Sequence, residues 1–138
     1  MAKVLIADDN KDIVIVLRDF VEALGHTVRT ELDGLQAGLQ AKEWKPDVLV
    51  ADVQMPNFYG TTALVSLQES PETAVIPVLF ISAIDPATVE TMLKGVRANV
   101  RYPERVRFVP KPIDFPLFER TLNELLAFRA SDARTRSR

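Results

Sequence analysis

Pro46-Asp47-Val48-Leu49-Val50-Ala51-Asp52-Val53-Gln54-Met55-Pro56 is the stretch that decides the architecture. Its middle, Val48 to Ala51, is apolar on both faces, a pattern suited to a strand covered by helices above and below. Proline brackets the run on either side, at Pro46 and Pro56. Asp52 stands where the chain leaves the strand. A central parallel strand with an acid at its carboxyl end is the expectation.

Working outward from it, Val4-Leu5-Ile6-Ala7 is a first strand, and Ile13, Leu17, Phe20, Val21 and Leu24 recur at helical spacing until Gly25 stops them. Thr27-Val28-Arg29-Thr30 is a more polar strand, suited to an edge. A second helix runs from about Gly34 to Trp44 and ends at Pro46. On the other side, the loop Met55 to Gly60 leads into a helix carrying Ala63, Leu64 and Leu67, and Ile76 to Ile81 is a fourth strand. Asp85-Pro86 opens a fourth helix, with Asp as N-cap and Pro in the first turn. Val106 to Val109 is the fifth strand. Phe118, Leu122, Leu125 and Leu126 line one face of a last helix from about Phe115 to Phe128. Ser131 to Arg138 has no apolar anchor, so a domain at residues 1–128 is expected to be followed by a disordered tail or linker stub at 129–138.

Five strands and five helices in strict alternation imply an α/β fold, a doubly wound five-stranded parallel sheet with helices on both faces in three layers. In a flavodoxin-like strand order, 2-1-3-4-5, strands one and three meet at the switch point, and a site forms at the carboxyl ends of the strands. A chain of 138 residues, 47% apolar and 26% charged, fits one such domain. No cysteine is present, which excludes disulfides and thiolate metal sites, and one histidine, His26, cannot build a His-rich metal centre. No apolar run is long enough for a membrane span or a signal peptide, so the expectation is cytoplasmic. Charge is uneven: residues 1–96 carry 7 basic and 14 acidic side chains, residues 97–138 carry 10 basic and 5 acidic ones. That asymmetry is too mild to imply direct nucleic-acid binding.

Three features fall at the strand ends. Asp8-Asp9 closes the first strand, Asp52 the third, and Lys111 follows the fifth. Converging carboxylates repel one another, and a hard divalent cation such as Mg²⁺ relieves that repulsion. A nearby ammonium adds the charge a phosphoryl group needs. An ionised carboxylate so placed can attack phosphorus while metal and Lys absorb charge. Alone, each piece has an ordinary explanation: Asp8-Asp9-Asn10 can cap a helix, and Ser82 can be a plain strand-end hydroxyl.

Four pieces occur in order: Val-Leu-Ile-Ala-Asp-Asp-Asn from Val4, Pro-Asp-Val-Leu-Val-Ala-Asp-Val-Gln-Met-Pro from Pro46, Val-Leu-Phe-Ile-Ser-Ala from Val78 and Phe-Val-Pro-Lys-Pro from Phe108. Together they resemble the receiver domain of bacterial two-component response regulators, over residues 2 to about 128. The resemblance implies a phosphorylatable signalling switch rather than an enzyme in its own right, with Mg²⁺ as cofactor. Asp52 matches the phosphoacceptor, Asp9 a direct metal ligand, Asp8 an acid acting through water, and Gln54 the residue whose backbone carbonyl binds the metal. Ser82, Ala83 and Lys111 match the phosphoryl-contacting residues, Lys111 preceding a proline usually in the cis form. Ser82 and Phe108 match the switch pair. Implied partners are a histidine kinase or phosphotransfer protein, an output protein or effector domain, and a second copy through the face of the fourth helix, fifth strand and fifth helix; no membrane is implied.

The chain also departs from the family pattern. Tyr59 replaces a common acid, Pro110 precedes Lys111 where a strand residue is usual, and Gln54 and Ile84 flank the path of the hydrolytic water. The segment between Ser82 and Lys111 is long. Val89, Met92, Leu93, Val96 and Val100 continue one helical stripe through Gly95, predicting a helix that ends only before Pro103 and displays Arg97 and Arg101. Two other functions compete with the switch. A phosphorylation-independent interaction module is disfavoured by the intact set of Asp8, Asp9, Asp52, Ser82 and Lys111. An aspartyl-phosphate phosphatase, with its nucleophile on strand one and a second Asp two residues on, does not fit Asp8-Asp9-Asn10.

Overall fold

The computed structural model of the chain describes residues 1–55 and 60–136, so Tyr59 lies outside the described residues. Five strands alternate with helices: β1 Lys3–Ala7, α1 Lys11–Ala23, β2 Thr27–Glu31, α2 Gly34–Trp44, β3 Val48–Asp52, α3 Gly60–Leu67, α4 Pro71–Ala74, β4 Val78–Ser82, α5 Pro86–Arg97, β5 Val106–Pro110 and α6 Phe115–Arg136. All pairings are parallel and the strand order is β2-β1-β3-β4-β5, as expected from the sequence.

Local chemistry sets the element ends. Asn10 caps α1 by accepting the N–H of Asp12 at 3.0 Å and of Ile13 at 3.3 Å. Gly25 takes φ +98° beyond the end of α1, a conformation open to glycine. Asp33 caps α2 through the Gln36 N–H, and Asp85 caps α5 through the Thr88 N–H. β3 and β4 are buried at every position, as central strands are; β2 is only half-buried, as an edge is. β5 is the opposite edge, which is why it tolerates Pro110.

Two apolar cores form, one on each face of the sheet. Leu5, Leu49, Ala51 and Phe80 pack with α2, α3 and α5; Val4, Ile6, Val48, Val50, Leu79 and Ile81 pack with α1 and α6. Adjacent residues of one strand thus feed opposite cores, the three-layer consequence of the period-two strand.

Three expectations need correction. The described residues hold six α-helices, not five, because Ser70 and Pro71 start an extra turn, α4, between α3 and β4. The fourth helix of the sequence reading is therefore α5. It does continue through Gly95, although glycine inside a helix is about 1 kcal/mol less favourable than alanine. It stops at Arg97, however, and residues 98–101 turn. The Asn99 side chain donates to the Gly95 carbonyl at 2.9 Å, and the Arg101 N–H donates to the Gln68 side chain at 3.0 Å. Val100 reaches the core from this turn rather than from a helix. Arg97 is not displayed: its guanidinium folds back onto the Val106 carbonyl at 2.8 Å and onto Glu90.

The third correction concerns the chain after Phe128. Where a disordered tail is expected, α6 continues to Arg136. Its anchor is polar, so a search for apolar residues misses it. Asp132 accepts two bonds from Arg105, at 2.8 and 2.9 Å, and one from Arg129 at 2.7 Å. The Arg105 guanidinium lies over the rings of both Tyr102 and Phe128, 4.6 and 5.0 Å from their centres.

Candidate functional site

The sheet register brings the chemistry to one end. Ala7 pairs with Ala51, so Asp8 and Asp52 leave adjacent strands side by side. Asp52 pairs with Ile81 and Ser82 with Pro110, which sets Ser82 and Lys111 beside the acids. The Lys111 N–H also donates to the Ser82 carbonyl at 2.8 Å, tying the ends of β4 and β5 together.

Carboxylate oxygens of Asp8, Asp9 and Asp52 lie within 4.8 Å of one another. Asp8 is fully buried at the base; its Oδ1 accepts the Asn10 N–H at 2.9 Å and its Oδ2 the Lys111 ammonium at 2.8 Å. Asp52 keeps 7% of its surface exposed and accepts the Gln54 N–H at 3.1 Å and the Lys111 ammonium at 2.9 Å. Asp9 is exposed at the rim. One cation thus bridges two carboxylates. Burial pulls the Lys111 pKa down, but its hydrogen bonds to Asp8 and Asp52 and their charges outweigh this, so it lies above the usual lysine value.

Above the acids lies an open cleft of about 590 Å³, walled by Asp9, Asp52, Ser82, Ala83 and Lys111 among others. Gln54 and Ile84 line it too. The Ser82 hydroxyl oxygen accepts the Ile84 N–H at 3.0 Å, and Lys111–Pro112 is cis. Phe108 is half-buried against the core beneath, opposite Phe80 on β4. Every residue that the sequence reading placed at the strand ends is therefore in or under one cleft, Phe108 excepted, which lies in the packed layer below. Two participants were missed. Met55 walls the cleft with 7% exposure, its only sequence signal being its place three residues after Asp52. The Asn10 backbone N–H orients Asp8, which no residue identity could show.

A donor set of three clustered carboxylates is hard, oxygen-only and suited to Mg²⁺. The half-buried ammonium beside Asp52, lining the open cleft, suits a transferred anionic group.

A family model described as the response regulator receiver domain matches residues 4–122. The polar-differentiation response regulator DivK of Brucella anthropi is 32% identical over 124 residues, covering 89% of this chain and 94% of the relative. Protein PilH of Pseudomonas aeruginosa is 32% identical over 127 residues, 92% of this chain and 99% of the relative. Among solved structures, the chemotaxis response regulator CheY4 of Vibrio cholerae has a TM-score of 0.77 at 24% identity, covering 91% of this chain and 98% of that one, a likeness of fold. The receiver domain of the Francisella response regulator 1452 has a TM-score of 0.75 at 26% identity, over 92% and 98% of the two chains. With the strand order, the acid cluster and these matches in agreement, the chain belongs to the response regulator receiver domain family.

Proposed function

We propose that the protein is a phosphorylation switch that takes a phosphoryl group on Asp52 from a histidine kinase or phosphotransfer protein and reports it through a changed partner-binding face. The observation that carries this reading is the Asp52 carboxylate itself: nearly buried, 2.9 Å from the Lys111 ammonium, and part of the cleft wall.

Asp8, Asp9, Asp52 and the Gln54 backbone carbonyl would hold Mg²⁺, which neutralises the acids and draws charge from the group in transfer. An Asp52 oxygen attacks phosphorus in line with the donor's P–N bond. That bond breaks, its electron pair leaving with the imidazole nitrogen, which takes up a proton. Lys111 swings a hydrogen bond from Asp52 to a phosphoryl oxygen, and its raised pKa keeps the charge in place at neutral pH. Ser82 exchanges the Ile84 N–H for a bond donated to the phosphoryl group, next to the small Ala83. Moving Ser82 alters the packing beside Phe108, and the surface of α5, β5 and α6 passes the change to an output protein or a second copy.

Acetyl phosphate with Mg²⁺ is the test. The wild type is expected to gain one phosphoryl group by intact mass, and Asp52→Asn none. Undiminished labelling of Asp52→Asn moves the acceptor elsewhere and defeats the proposal.

A further inference from the structure

Lys111 places one ammonium between two carboxylates, 2.8 Å from Asp8 and 2.9 Å from Asp52. A lysine side chain gives reach but no precision, since its four-carbon stem is flexible. The precision has to come from the backbone that carries it. The sheet supports that backbone weakly: β5 is an edge strand with β4 as its only neighbour, and Lys111 stands immediately beyond its end. A single bond, from the Lys111 N–H to the Ser82 carbonyl at 2.8 Å, closes the ladder there. The exposed ends of strands are where such ladders open first.

Pro110 supplies what the sheet does not. Its ring fixes φ at about −65° and restricts the preceding residue, Val109, to extended backbone. Val109 is fully buried in the core that also holds Phe118 and Leu122. A stiff link therefore runs from a core anchor to the residue that carries the ammonium. The ring costs the ladder nothing. Successive N–H groups of a strand alternate in direction, and Lys111 points its N–H at β4, so position 110 faces away from the sheet. Proline at an edge can also block pairing with another strand. Here it occupies the last residue of β5, where a missing donor blocks little, and Arg107 already puts charge on that edge.

We infer that Pro110 is a positioning residue for phosphoryl transfer: it holds the Lys111 backbone so that the ammonium already stands between Asp8 and Asp52 when the phosphoryl group arrives. Its effect on transfer rests on Asp52 being the acceptor; its effect on Lys111 does not.

Pro110→Ala and Pro110→Gly remove the same ring and loosen the backbone in two steps, glycine further than alanine. Circular dichroism and sedimentation check that both variants fold and keep the oligomeric state of the wild type. Side-chain NMR order parameters of Lys111 are measured without a phosphodonor, with Lys42 and its exposed pair to Glu69 as the internal control. Labelling by acetyl phosphate with Mg²⁺ is followed by intact mass. Lys111 is expected to lose order from wild type to Ala to Gly while Lys42 does not change. Labelling is expected to slow in the same sequence, by up to about 10²-fold as for a misplaced group. Unchanged Lys111 order in both variants overturns the inference, whatever labelling does. Equal losses in Ala and Gly assign the effect to packing of the ring and overturn it too, as do variants that self-associate with Lys111 unmoved. Lower order with labelling at the wild-type rate overturns it as well, because the position of the ammonium would then not matter. If the wild type takes no label, or Asp52→Asn does, the acceptor reading fails and the order parameters alone decide the role of Pro110.

Discussion

Arg105 and Asp132 close a two-pronged ion pair across 27 residues, Nη1 to Oδ2 at 2.8 Å and Nη2 to Oδ1 at 2.9 Å. Arg105 immediately precedes β5 and Lys111 immediately follows it. The strand is therefore held at one end by the pair that fastens α6 and at the other by the ammonium that bridges Asp8 and Asp52. The Arg105 side chain is 10% exposed and also donates to the Val75 carbonyl, so the pair joins three separate segments.

Removing the acid strands a buried cation. Asp132→Ala is expected to destabilise the fold by about 2–3 kcal/mol, below the roughly 3–5 kcal/mol of a fully buried pair because 21% of Asp132 stays in water. Urea denaturation measures the loss. Trypsin should cut first near Arg129 and Arg134 in the variant, and an unchanged midpoint and cleavage pattern would show that the pair does not fasten α6.

The same pair sets a pH dependence. The hydrogen bond from Arg105 is the main cause that holds the Asp132 carboxyl below its usual pKa, with burial opposing it and the charges of Arg105 and Arg129 assisting. A depressed folded-state pKa gives stability that is complete above the unfolded value, about 3.9, and is lost as pH falls through the folded one. The stability gap between wild type and Asp132→Asn is expected to be full at pH 7 and to narrow below pH 4. A gap that stays constant to pH 2 would contradict this.

Lys111→Met removes the only cation bonded to Asp52 among the described residues. A lost charge-stabilising donor lowers such a transfer by about 10²-fold, so labelling by acetyl phosphate should slow by that order. EDTA should abolish labelling in both proteins. Equal rates in wild type and variant would remove Lys111 from the chemistry.

Ser82→Ala keeps the acceptor and loses the hydroxyl. Labelling is expected to persist, while phosphate-induced NMR shifts around Phe108 collapse. Shifts identical to wild type would disconnect the two residues.

Asn10 caps α1 with two bonds, and Asn10→Ala should cost about 1 kcal/mol in thermal or urea unfolding. A change within a few tenths would mean water replaces the cap.

The sequence by itself determined the alternation, and with it the sheet: apolar runs such as Val48–Ala51 and Val78–Ile81 leave no solvated face, so helices must cover both. It also placed Asp8, Asp9, Asp52, Ser82 and Lys111 at strand ends, because a strand end is marked locally by where the apolar run stops. What only the tertiary structure decided is how polar groups far apart in the chain pair. Lys111 reaches Asp8 across 103 residues, and Arg105 reaches Asp132 across 27. Arg97 folds back to Val106, and α5 stops a turn early, although the stripe of Val89, Leu93, Val96 and Val100 promised more helix. Apolar burial is largely a property of each residue and repeats with a period that can be read along the chain. A hydrogen bond or ion pair is directional and needs a partner at about 3 Å, and that partner exists only once the chain has folded.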